Sequence, residues 1–231
     1  LNGEWRTALQ LGEEPGLLTE LYQPLDYAGR FFFNVGAFTD RRNLNMYSSV
    51  GDQIAEYRLN RIGATLSGGM NFGTWGELRL GYHRARGDAE VRVGTPPLGD
   101  FNFDSGYAFT RLSIDTLDDA YFPNKGRAGT LDVKLHRDSL GDDNDFEQVS
   151  FKYIAAKTWG HNTFLAGVRF DTTLDDDAPI YALFRAGGFT NLSGFNQNEL
   201  SGQHAGIAKL AYLRRINDFH LLPVYLGASL E

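Results

Sequence analysis

The chain has 231 residues, 13% of them aromatic, with 27 glycines against 7 prolines, no cysteine and a formal net charge of −7. The missing cysteines exclude disulfide frameworks and cysteine-ligated metals, and the acidic balance speaks against a nucleic-acid partner. There is no apolar run of about 18 residues, so the sequence contains no transmembrane helix; a transmembrane barrel, whose strands alternate apolar and polar residues, escapes that test. No basic and apolar leader opens at Leu1, and the chain begins in mid-pattern, which leaves room for a signal upstream.

Period-two alternation marks the strands. Trp5, Thr7, Leu9 and Leu11 share a face against Glu4, Arg6 and Gln10, and a turn follows at Glu13, Pro15 and Gly16. Leu17–Leu25 is a second strand, ended by a turn over Asp26–Gly29. In the third, Phe31, Phe33, Val35 and Ala37 oppose Phe32, Asn34, Gly36 and Phe38, and the strand runs on past Arg41 and Arg42. Ser48–Ala55 reads as a polar loop. Tyr57–Phe72 places Ile62, Ala64, Leu66 and Gly68 against Arg61, Gly63, Thr65 and Ser67. After the short Gly73–Gly76 connection, Leu78, Leu80 and Tyr82 oppose Glu77, Arg79, Gly81 and His83, and a second long loop spans Thr95–Ser105.

Further on, Ala108, Thr110, Leu112 and Ile114 oppose Tyr107, Phe109, Arg111, Ser113 and Asp115. Leu131, Val133 and Leu135 oppose Asp132, Lys134 and His136; Val149, Phe151 and Tyr153 oppose Ser150, Lys152 and Ile154. A two-residue connection at Gly160–His161 leads to Phe164, Ala166, Val168 and Phe170 against Thr163, Gly167, Arg169 and Asp171. The period then lapses over Ala186–Gly202, a stretch with four glycines and three asparagines. Phe189, Leu192 and Phe195 are too apolar for a solvated loop, so this segment is expected to fold inward and pack. Two last strands follow, around Ala208–Tyr212 and over Leu221–Glu231, joined by a short connection at Asn217–Phe219.

The count is about eleven antiparallel strands, many longer than the ~5–6 residues of a soluble sheet and suited to a tilted membrane span. Short and long connections alternate, as in outer-membrane barrels. Trp5, Tyr22, Trp75, Tyr82, Tyr107, Trp159 and Tyr212 lie near strand ends and suit an interfacial girdle. The acidic runs Gly141–Asp145 and Leu174–Asp177 read as solvated loop tips, with a divalent-ion or lipopolysaccharide contact as the sharper alternative. The fold class expected is therefore all-β: an antiparallel transmembrane β-barrel.

Two stretches carry a family resemblance. Thr110–Gly126, ending Leu-Asp-Asp-Ala-Tyr-Phe-Pro-Asn-Lys-Gly, resembles the strand–turn–strand signature of the bacterial surface-antigen barrels, the outer-membrane assembly and two-partner-secretion superfamily. Asp115, Asp118, Phe122, Pro123 and Gly126 carry it. Gly187-Gly-Phe-Thr-Asn-Leu-Ser-Gly-Phe195, followed by Leu200-Ser-Gly202, is similar to that superfamily's lumen-inserted loop, here placed at 181–204. Gly187, Gly188, Leu192, Ser193, Gly194 and Phe195 carry this second motif. The family has arginine where this chain has Ser193; that arginine is thought to latch the loop to an acidic residue on the inner wall. With serine there, neutral hydrogen bonds and packing by Leu192 and Phe195 are expected to hold the loop instead.

The resemblance implies one barrel domain over 1–231, about eleven strands of sixteen, in the bacterial outer membrane. An incomplete barrel leaves open sheet edges that favour self-association. The branch that looks closest is the C-terminal barrel of patatin-like phospholipases, the fused type V secretion proteins. The function implied is to anchor or translocate a passenger in the same chain, with outer-membrane lipid and lipopolysaccharide as the other partners. The alternatives are an outer-membrane protein-assembly insertase barrel and a soluble extracellular all-β binding module. No Gly-x-Ser-x-Gly or His-Glu-x-x-His motif occurs, so no enzyme, metal or cofactor is expected here. The five histidines are scattered and read as loop or lumen polarity. A hydrolase in the barrel would rest on His136 with Ser139 or Ser150.

Overall fold

A computed structural model describes residues 2–48, 51–94, 96, 99–217 and 224–231. Its body is one antiparallel sheet of eleven strands, paired in chain order. These are β1 (Glu4–Gln10), β2 (Gly16–Pro24), β3 (Phe31–Tyr47), β4 (Gln53–Asn71), β5 (Gly76–Gly94), β6 (Phe101–Asp115), β7 (Lys125–His136), β8 (Phe146–Trp159), β9 (Asn162–Leu174), β12 (His204–Arg215) and β13 (Tyr225–Leu230). Between β9 and β12 lies a separate two-stranded ribbon, β10 (Phe184–Ala186) with β11 (Leu200–Gly202). The only helical turn among the described residues is a 3-10 turn at Asp138–Leu140. β1 and β13 form the edges.

The alternation sorts the residues onto two faces. One face carries Trp5, Leu9, Val35, Ile62, Leu66, Leu80, Phe151, Phe164, Phe170 and Leu210, all exposed; Ile62 is 65% accessible and Leu210 59%. So large a contiguous apolar surface is not left in water by a soluble domain, and no second sheet covers it among the described residues. An exposed apolar face of this kind fits lipid and not the covered inner face of the aqueous sandwich expected as an alternative. The other face is polar and aromatic. Asn34, Ser67, His136, Gln148, Thr163, Asp171 and Thr173 are buried on it, and its arginines pair with carboxylates, Arg61 with Asp40 at 2.6 Å, Arg79 with Glu77 at 2.8 Å and Arg111 with Asp132 at 2.7 Å.

β3, β4 and β5 have 17, 19 and 19 residues, far more than the ~9–11 that cross a bilayer. The excess is visible in the outward face. Above Thr39 and Ile62 it changes to Arg41, Asn60 and Asp88, joined by hydrogen bonds of 3.0 and 2.8 Å. These strands therefore project beyond the lipid. Strand also takes up part of the loops expected at Ser48–Ala55 and Thr95–Ser105. Gln53–Ala55 belong to β4 and Phe101–Ser105 to β6, while Ser49, Val50, Thr95, Pro97 and Leu98 lie outside the described residues.

The opposite rim holds the tight turns, with Gly73 and Gly160 at φ of 62° and 61°, where a side chain would be strained. It also holds the long 116–124 turn, so the expected short–long alternation of the rims is imperfect. Trp5, Trp75, Trp159 and Tyr212 lie toward this rim as expected of a girdle, joined by Tyr27 and Tyr121 in its turns. Tyr22 and Tyr107 do not belong to it. Tyr22 stacks on Phe32 and accepts a hydrogen bond from Asn71, and Tyr107 lies between His83 and His136 on the inner face. The last connection's Asp218 and Phe219, with His220, Leu221 and Leu222, lie outside the described residues.

Four inner-face glycines are each roofed by a ring from the neighbouring strand. A Cβ would stand 2.7 Å from Phe38 at Gly63, 2.7 Å from Phe32 at Gly69, 2.5 Å from Phe109 at Gly81 and 2.3 Å from Phe103 at Gly87. The rings lie flat where a side chain would otherwise rise, a known device for glycine in strands. Rings from five strands then stack in series: Phe38 on His83 (5.4 Å), His83 on Tyr107 (4.6 Å), Tyr107 tilted on His136 (4.6 Å), His136 on Phe146 (4.0 Å).

Candidate functional site

Residues 175–203 fold back over the inner face. The anchor is upstream of the glycine motif. Tyr181 stacks on Phe103 with ring centroids 4.1 Å apart, and Ile180 and Tyr181 pack on a buried cluster of Leu44, Tyr57, Leu59, Ala89 and Phe103. Burial and the Asp142 and Asp143 carboxylates push the Tyr181 phenol up from its ordinary value. Gln148 donates to the Ala182 carbonyl at 2.9 Å. Gln203 accepts from the Ala178 N–H (3.1 Å) and donates to its carbonyl (2.9 Å), closing the base of the loop. Arg185 donates to the Asn45 carbonyl at 3.1 Å, so the segment leaves β9 and reaches across to β3. Between loop and wall lies a cavity of about 930 Å³, lined by Arg42, Arg61, His83, Lys134 and Arg169 on the wall and by Tyr181 and Arg185 on the loop.

The motif itself is a compact series of turns. Gly187 donates to the Asn191 carbonyl (2.8 Å) and Gly188 to that of Phe195 (3.1 Å). Gly187 has φ of 115° and lies so close to Asn196 that a Cβ would stand 2.2 Å from its carbonyl oxygen. Only glycine fits there. Gly194 has open space around it, so no such reason applies. Thr190 and Leu192 also take positive φ, 60° and 73°, a cost that the surrounding bonds must outweigh.

The expectation that Leu192 and Phe195 hold the loop is not met. Leu192 is half-buried, Phe195 is 43% exposed and Phe189 92%. Nor are the bonds at Ser193 neutral. Its N–H and hydroxyl both donate to the Glu231 carboxylate, at 2.7 and 2.9 Å. An acidic partner is thus present at this position, met by serine. The tip's other ties are Arg169 to the Asn191 side chain (3.3 Å) and Lys209 to the Thr190 carbonyl (3.4 Å).

The signature turn lies on the opposite rim, apart from the loop's anchors. Asp118 accepts from the N–H groups of Asn124 (2.8 Å) and Lys125 (3.0 Å), and Asp119 from those of Tyr121 and Phe122, both at 2.8 Å. These bonds hold both carboxyls below the usual carboxylate range, the Lys125 N–H acting most on Asp118 and the Phe122 N–H on Asp119. Asp115 accepts from the Leu117 N–H at 3.0 Å. Pro123 is buried, and Phe122 lies parallel to Tyr225 at 5.2 Å. Gly126 has φ of 104°, and a Cβ there would stand 2.1 Å from the Thr116 oxygen. The turn is a rigid backbone clasp. Asp119, missed in the sequence, does as much in it as Asp118; its place one residue on was the available signal.

Two other readings need correction. In the acidic run Gly141–Asp145, Asp143, Asn144 and Asp145 are exposed as expected of a tip, but Asp142 is buried and accepts from the Gly106 N–H (2.9 Å) and from His136 Nδ1 (2.8 Å). His136 is buried between two rings, its Nε2 without any hydrogen-bond partner, so neither Ser139 nor Ser150 reaches it as a nucleophile would. His83 is likewise built into the wall, its Nδ1 2.9 Å from the Thr65 hydroxyl.

A lipid-facing sheet with a polar lumen and a long loop folded into it is the architecture against which known proteins can be set. The Omp85 superfamily domain matches residues 19–212. The chain belongs to the Omp85 superfamily. Among solved structures, BamA from Haemophilus ducreyi lacking POTRA domains 1-3 superposes with a TM-score of 0.73 at 15% identity, over 94% of this chain and 49% of that one. This Omp85 chain thus spans about half the length of the structure it matches. None of the curated proteins matches it in sequence. Membership places the chain in the bacterial outer membrane as a transmembrane β-barrel.

Proposed function

We propose that this Omp85 barrel anchors a passenger carried in the same polypeptide and moves it across the outer membrane, without catalysis of its own. The observation that carries the reading is the loop. It enters the lumen through individually modest contacts, the packing of Ile180 and Tyr181 on one apolar cluster and a set of neutral or singly charged hydrogen bonds, and leaves an open cavity behind it. Such a plug can be displaced without unfolding the strands, because local openings draw on local contacts only. By the rule of short periplasmic turns, the loop rim faces the cell exterior. The passenger favoured is a patatin-like phospholipase upstream; the support is the resemblance of Gly187–Phe195, with serine at 193, to that branch.

The test uses the absence of cysteine from these 231 residues, with any cysteine of the passenger replaced by serine. Cysteines at Asn191 and Arg169, joined by a short thiol crosslinker in cells expressing the full-length protein, fix the loop tip to β9. The expected result is loss of protease-accessible passenger at the cell surface, restored when a cleavable linker is cut. Unchanged surface exposure with the tether closed would reduce the role to anchoring. Impaired assembly of other outer-membrane barrels, with the passenger unaffected, would favour the insertase reading.

A further inference from the structure

The inner wall is not uniformly neutralised. Arg42, Arg61, Arg79 and Arg111 each meet a carboxylate. On β8, β9 and β12 the pattern breaks. Lys152 stands directly opposite Arg169, and Lys209 pairs with Gly167, diagonal to Arg169. Arg169 is bound to buried Asp171 at 2.5 Å. Lys152 has no ion pair or hydrogen bond among the described residues; Lys209 donates to the Thr190 carbonyl and has the Glu231 carboxylate in its neighbourhood. Like charges directly opposite weaken a strand pair; Asp171 offsets Arg169, and Lys152 is left without a carboxylate.

These cations flank a groove of about 540 Å³ beneath the loop tip. Its floor is Ala128, Thr130, Ile154, Gly167 and Ile207, small or apolar side chains, with the loop's Thr190 and Asn191 as the upper lip and Asp115 toward the opposite rim. The groove crosses five strands from β6 to β12, roughly 20 Å at the usual strand spacing, which is the length of about six extended residues. We infer that this groove binds an acidic, extended polypeptide segment inside the lumen, its carboxylates on Lys152 and Lys209 and its backbone along the flat floor. Charge complementarity, and a floor low enough for a main chain, are what single out a peptide. The inference rests on the lumen described above and deepens the transport reading, but binding is measurable without transport.

The test is fluorescence anisotropy with the detergent-extracted full-length protein and a labelled octapeptide alternating Glu and Ser. Its Gln-for-Glu and Lys-for-Glu analogues serve as comparisons. The acidic peptide is expected to bind, with affinity falling as salt rises, and the double variant Lys152→Gln/Lys209→Gln to weaken it at least about tenfold while still showing heat-modifiable migration. Equal binding of acid and Gln peptides, no binding, or unchanged binding by the folded variant would overturn the inference. So would displacement by millimolar inorganic phosphate, which would mark a small-anion site. A negative result here with a positive tether experiment would leave transport standing and remove only the groove; the converse would remove transport and keep the groove.

Discussion

Replacing Tyr181 with alanine removes the ring that fixes the lumen loop to Phe103, 4.1 Å away. A stack of this kind is worth ~1 kcal/mol beyond its area. A half-buried ring withdraws about 100 Å² from water, or about 2.5 kcal/mol. The docked loop should therefore lose about 3 kcal/mol, and the undocked population should rise by about 150-fold. The loss is local, because the strands keep their own pairing. Hydrogen exchange read by mass spectrometry on the full-length protein in detergent measures it. Amides of 184–202 should exchange about two orders of magnitude faster, with β4–β6 unchanged. Tyr181→Phe is the control: it keeps the ring and loses only a 3.4 Å hydrogen bond from Asn144, so it should stay within a few-fold of the parent. Unchanged exchange in Tyr181→Ala, or equal acceleration in every strand, would refute the assignment of this residue as the anchor.

Three further outcomes are expected. Gly126→Ala forces a Cβ to within 2.1 Å of the Thr116 oxygen at a backbone angle costing ~1–3 kcal/mol by itself, and should sharply lower the heat-modifiable fraction on unboiled gels. Asp142→Ala leaves the Gly106 N–H and His136 without their acceptor; burial makes this cost about 3 kcal/mol, read as a lower temperature for the gel-mobility transition. For the signature turn the sign follows from carboxyls held below the ordinary range at Asp118 and Asp119. Their contribution is complete above the unfolded carboxylate value of ~3.9 and is lost as pH falls through the lower folded values. Proteolysis of 116–124 by an acid protease should thus stay flat down to about pH 4 and rise below it.

The strands and their two faces were legible because a period of two is local information. Which face meets lipid was not. β3 carries phenylalanine on both, Phe31 and Phe33 outward, Phe32 and Phe38 inward, and hydrophobicity alone does not separate a lumen aromatic from a lipid one. The loop was recognisable by its motif, but its anchors were not. Tyr181 meets Phe103 and Arg185 meets Asn45 across sequence distances that no local pattern encodes. Asp142 was misread because an acidic run looks the same whether its carboxylates face water or, as here, a backbone N–H and an imidazole. Strand ends at Gln53 and Phe101 were placed too late because the projecting part of a barrel has no lipid to keep one face apolar.

Two of the four roofed glycines couple positions that are far apart in the chain. Gly81 with Phe109 and Gly87 with Phe103 each share one volume, filled by the ring, whereas at Gly63 and Gly69 the backbone oxygens of Arg84 and Leu78 stand nearer than the ring. A larger residue at Gly81 or Gly87 is tolerable only if its ring partner shrinks, and a lost ring leaves a void that a bulkier residue opposite can refill. Across related barrels these pairs should therefore drift as couples, each trading bulk from one strand to the next, while the bore of the lumen stays the same.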